Sequence, residues 1–69
     1  MFEIFKTNVE NAKQAETLVT LLHHYFPFAE INFDLDDCDN ILRVKGEKFC
    51  LACITQTLAK KGFECQVLD

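Results

Sequence analysis

The chain reads as an α+β domain, a four-stranded antiparallel sheet with two helices on one face. Three observations in its 69 residues predict this. Apolar residues recur every three or four positions in two stretches, 11–26 and 47–61, the spacing of amphipathic helices. Elsewhere they alternate, the spacing of half-buried strands. The segments run strand, helix, strand, strand, helix, strand, an order that admits two right-handed crossovers joined by a hairpin.

"MFEIFK" alternates enough to form the first strand. "TNVENAKQ", residues 7–14, is a polar lead into the first helix, with Asn8 or Asn11 available as its N-cap. That helix carries Ala12, Ala15, Leu18, Val19, Leu22 and Phe26 along one stripe. Pro27 ends it, because the residue before a proline is pushed out of the helical region. "FAEINFDL" puts Ala29, Ile31, Phe33 and Leu35 on one face and Glu30, Asn32 and Asp34 on the other.

"DDCDN" is a polar turn, and "ILRVK" a third strand closed by Gly46. The second helix aligns Cys50, Cys53, Ile54, Thr57 and Leu58. Gly62 stands where a C-cap glycine belongs, behind Lys60 and Lys61, whose charges suit the helix dipole. "FECQVL" is the last strand, with Phe63, Cys65 and Val67 toward the core. The resulting βαββαβ order is that of the ferredoxin-like fold. It sorts the loops onto two poles. Residues 7–11, the 35–40 hairpin and the turn after Lys60 share one. His23 to Pro27 and the start of the second helix, near Cys50, share the other.

This length makes one domain, burying roughly 60% of its unfolded surface. A net charge of −4 and a pI near 5.0 argue against nucleic acid and give no support for an anionic membrane surface. No apolar run approaches the ~20 residues of a membrane span, and the polar start does not read as a signal peptide. Four cysteines in such a chain read as reduced thiols in a cytosol.

The middle, "PFAEINFDL", and the later stretch "ITQTLAKKGF", residues 54–63, are similar in ungapped spacing to the heavy-metal-associated domain of copper chaperones and metal-pumping ATPases. The resemblance covers nearly the whole chain. It implies the same ferredoxin-like fold. It also places the family's Gly-Met pair on Asn8 and Val9, and its two metal-binding cysteines on Asn11 and Gln14. Copper(I) needs thiolates, and zinc takes Cys, His or carboxylate. Neutral amides are poor ligands for either, so the resemblance implies a domain whose standard metal loop is lost.

Other groups could carry chemistry. Cys50-x-x-Cys53 lies on the apolar stripe of the second helix and is expected to form two small buried hydrophobes. A redox role would need an exposed first cysteine of lowered pKa. His23 and His24 share a pole with these thiols, which opens a zinc or copper site of Cys50, Cys53, His23 and His24 as the alternative. "DLDDCDN" fails as an EF-hand loop: counting from Asp34, Asp39 stands where Gly is needed and Lys45 where Glu is needed. It is expected to be a solvated acidic tip holding the exposed thiol Cys38. No Gly-rich phosphate loop or Ser-His-Asp arrangement is visible, and so short a chain leaves little room for a pocket of ~300 Å³.

The first expectation is therefore a small cytosolic, non-enzymatic interaction module that needs no cofactor. Its working surface would be Asn8, Asn11 and Gln14 with Asp36, Asp37, Asp39, Lys60 and Lys61. Its partner would be a protein with a basic surface. The hairpin's outer strand leaves an edge for a weak homodimer.

Overall fold

The computed structural model describes residues 1–36 and 38–68. Six elements follow in the order β1 (Phe2–Thr7), α1 (Ala12–Tyr25), β2 (Glu30–Asp34), β3 (Ile41–Lys45), α2 (Leu51–Lys60) and β4 (Cys65–Val67). The strands form one sheet in the order β2-β3-β1-β4. Each neighbouring pair is antiparallel. The molecule is thus α+β, with a four-stranded antiparallel sheet and two helices.

The register explains the core. Phe5 stands opposite Leu42 on one side and Val67 on the other, and Ile31 stands opposite Val44. Side chains two apart on a strand share a face. This face meets Leu18 and Leu22 of α1 and Ile54 and Leu58 of α2 in a single core. α1 packs on β2 and α2 on β4, and the helices touch each other. Phe5, Leu22, Leu42, Ile54 and Leu58 are completely buried. Each such side chain contributes roughly 1.5–3 kcal/mol by leaving water.

The helix ends follow their residues. Asn11 is the N-cap of α1. At the other end Phe26, held at φ −130 and ψ 68 before Pro27, is out of the helix as expected. α2 begins at Leu51, not at residue 47. Phe49 is buried and shares the core with Ile54. With Cys50 as the N-cap, these are the two positions of a hydrophobic staple, which fixes where the helix starts. Its C-terminus closes as predicted. Gly62, at φ +87, donates its N–H to the Ala59 carbonyl, and Phe63 donates to Leu58, both at 3.0 Å.

β4 is shorter than the alternating stretch 63–68. Phe63 N–H is used in closing α2, and Glu64 N–H goes to the Asn8 side chain at 2.7 Å. Among the described residues, no helix is long and apolar enough to cross a membrane.

Candidate functional site

The start of α2 gathers the most chemistry. Cys50 has extended backbone, φ −90 and ψ 114, and occupies the N-cap. Its sulfur accepts the backbone N–H of Cys53 at 3.3 Å. Both thiols are exposed. This corrects the expectation that they are buried. Cys50 precedes the helix and so does not follow its phase, and the buried stripe of α2 is Ile54 and Leu58. Cys53 lies just outside that stripe, on the side of the groove toward α1.

An N-cap usually offers a side-chain oxygen to the first-turn N–H groups. A protonated thiol is a weak acceptor, whereas a thiolate at the positive end of a helix is favoured. The Cys50 thiol is held below its ordinary pKa, chiefly by the Cys53 side chain, which donates to it, and the backbone N–H groups of Cys53 and Ala52 add to the effect. Cys53 is pushed the other way, chiefly because its own S–H is engaged with Cys50. The pair is asymmetric, with the two thiols shifted in opposite directions.

Aromatic side chains surround this pole. Phe28 is 97% exposed and Tyr25 59% exposed. Tyr25, Pro27, Phe28, Gly46 and Phe49 line an open groove of ≈ 680 Å³. A second groove of ≈ 520 Å³ runs between the helices past Leu21, Tyr25, Phe26 and Cys53. The sequence leads one to expect little room for a pocket in so short a chain. The space lies on the surface between elements and not within the core.

The histidines do not complete a metal site with these thiols. His23 and His24 are exposed in the last turn of α1. His23 Nε2 lies 3.2 Å from the Ala29 carbonyl oxygen, and the His24 ring meets Tyr25 edge-on at 5.6 Å. Among the described residues, no three His, Cys, Asp or Glu side chains are grouped to hold a metal ion. His23 is turned to the 26–29 segment and His24 to Tyr25, so the four-residue ligand set is not assembled.

The opposite pole is assembled as the topology predicts. Thr7 donates its hydroxyl to the Asn40 carbonyl at 2.6 Å, tying β1 to the hairpin. Asn8, by accepting from Glu64, ties the same loop to the segment before β4. Asn11 accepts the Gln14 N–H, and Gln14 accepts the Glu10 N–H, both at 2.9 Å. The three amides expected on a working surface are thus each committed to an internal hydrogen bond. Asp36, Lys60 and Lys61 are exposed, and Asp39 lies 3.7 Å from Lys6. Asp37 lies outside the described residues. Cys38 is exposed as expected, and burial pushes the half-buried Cys65 thiol up to about 12.

Comparison of the chain with protein-family models, with curated proteins and with solved structures gives no match. The site must be read from its own residues. Sequence reasoning overlooked Tyr25 and Phe28. The signal was "YFPF", three aromatics around the proline that ends α1, of which Phe26 alone is partly buried.

Proposed function

We propose that this chain is a small non-enzymatic binding module that docks an apolar segment of another polypeptide at the α1–α2 pole. The observation that carries the reading is Phe28, 97% exposed at the rim of a groove of ≈ 680 Å³. A fully solvated phenylalanine contributes nothing to the fold, and aromatic residues are enriched where proteins meet. Glu47 and Lys48 supply the polar edge of the same groove.

The strand order β2-β3-β1-β4 supports a ferredoxin-like reading of the fold. The resemblance to the heavy-metal-associated domain then concerns architecture. Where that family holds its metal, Asn11 and Gln14 are used as helix caps. The reading relocates the working surface from the acidic pole to the aromatic one. A cytosolic setting suits its free thiols.

Site-specific photo-crosslinking in cells tests the reading. A photoreactive residue in place of Phe28 should yield one discrete polypeptide adduct, and in place of Asp36 none. The partner peptide, once sequenced, should bind the purified chain and lose that affinity on Phe28→Ser. Adducts from position 36 alone would restore the acidic pole as the working surface.

A further inference from the structure

We propose that Cys50 and Cys53 form a redox-active dithiol–disulfide couple, with Cys50 as the sulfur that attacks an external disulfide. Three independent features of the geometry meet here. Both thiols are exposed, so a second disulfide can reach them. Cys50 is the N-cap of α2 and Cys53 stands three residues on, so a single helical turn presents both thiols. The Cys53 N–H points at the Cys50 sulfur from 3.3 Å, fixing that sulfur over the open end of α2. The lowered Cys50 and raised Cys53 pKa values divide the roles in the same sense.

The step balances without further groups. The Cys50 thiolate attacks one sulfur of a disulfide R–S–S–R′. The Cys50–S–R bond forms as the S–S bond of the substrate breaks, and the R′ thiolate leaves and takes up a proton. Cys53 then loses its proton to solvent and attacks the Cys50 sulfur. The Cys50–Cys53 disulfide forms, and the R thiolate leaves and is protonated. The pair of protein thiols is oxidised by two electrons, and the substrate disulfide is reduced to two thiols.

The other two cysteines do not share this arrangement. Cys65 is half-buried on β4, and its ionisation is suppressed by that burial. Cys38 is exposed in the hairpin at the opposite pole. Redox chemistry at Cys50 and Cys53 does not depend on whether the aromatic groove docks a polypeptide, and either can hold without the other.

The test uses the full chain carrying Cys38→Ser, equilibrated with reduced and oxidised glutathione over a range of ratios and then acid-quenched and mapped by mass. One intramolecular Cys50–Cys53 disulfide should form and reverse on adding reduced glutathione. Adding Cys53→Ser should abolish that disulfide and trap glutathione on Cys50. Adding Cys50→Ser should leave Cys53 largely unmodified. A disulfide-bonded peptide in place of glutathione, run in parallel, identifies by the faster rate whether small or polypeptide disulfides are the better substrate. The proposal is overturned if wild-type Cys50 accumulates only the glutathione adduct, or if neither thiol reacts before the chain is unfolded in urea. Circular dichroism of each variant confirms that the comparison is between folded proteins.

Discussion

Asn11 and Gln14 cap α1 together. The Asn11 side-chain oxygen accepts the Gln14 N–H, and the Gln14 side-chain oxygen reaches back to the Glu10 N–H, each at 2.9 Å. The second bond falls one residue earlier than in the usual capping box, where the N3 side chain meets the N-cap N–H. One orphan donor of the helix, the Gln14 N–H, and the Glu10 N–H just before the cap are satisfied by one pair of amides.

Asn11→Ala should therefore lower stability by about 1 kcal/mol, and Gln14→Ala by less. Urea denaturation reads both. The double variant should lose less than the two single losses combined, because the side chains share one turn. Strict additivity would mean that the two caps act independently.

Thr7 is the buried polar residue of the sheet. Its hydroxyl donates to the Asn40 carbonyl at 2.6 Å and accepts the Val9 N–H at 3.3 Å. Thr7→Val keeps the shape and removes both bonds, so it should cost about 1–3 kcal/mol. Thr7→Ser keeps the hydroxyl and should cost less. Equal losses in the two variants would assign the effect to packing.

Gly62 isolates a backbone effect. A β-carbon placed there would meet nothing within 4 Å, yet the residue sits at φ +87. Gly62→Ala should cost roughly 1–2 kcal/mol through the conformation alone. Gly62→Asn should cost less, since asparagine tolerates this region better. A neutral Gly62→Ala in thermal unfolding would contradict the left-handed cap.

Cys65 makes stability depend on pH at the alkaline end. Burial raises its folded pKa to about 12, above the roughly 8.5 of an unfolded cysteine. The folded state therefore favours the neutral thiol. The contribution is fully present below the unfolded value and is lost as pH rises from there through the folded value. Cys65→Ala should remove this term, so the stability gap between wild type and variant should narrow as pH rises above about 8.5. Urea midpoints of the two proteins over an alkaline pH series measure it. A constant gap would show that Cys65 is not ionising on unfolding.

Much of the fold was legible because it rests on periodicity. Leu18 with Leu22, and Ile54 with Leu58, are buried as the helical spacing predicts, and Ile31 with Phe33 turn to the core as alternation predicts. Gly62 and Pro27 marked two helix ends through local chemistry alone. The site was harder to read because it sits where periodicity stops. Cys50 lies four positions before Ile54 and so appears on the apolar stripe, but its extended backbone takes it off that stripe. Phe28 looks like the first residue of an alternating strand, yet β2 begins only at Glu30. Asn11, beside Asn8, was legible as an N-cap, but the part of Gln14, whose side chain accepts the Glu10 N–H, was not.

The place of β1 in the sheet bears on how the chain is made. The strand that leaves the ribosome before the others ends up in the middle, with Phe5 pairing to both Leu42 and Val67. Until residues 65–67 emerge, one long edge of that strand has no partner. Closing such distant pairings costs loop entropy before any contact offsets it, which slows folding. During synthesis the exposed edge of a Phe-rich strand is the segment most in need of shielding from other nascent chains.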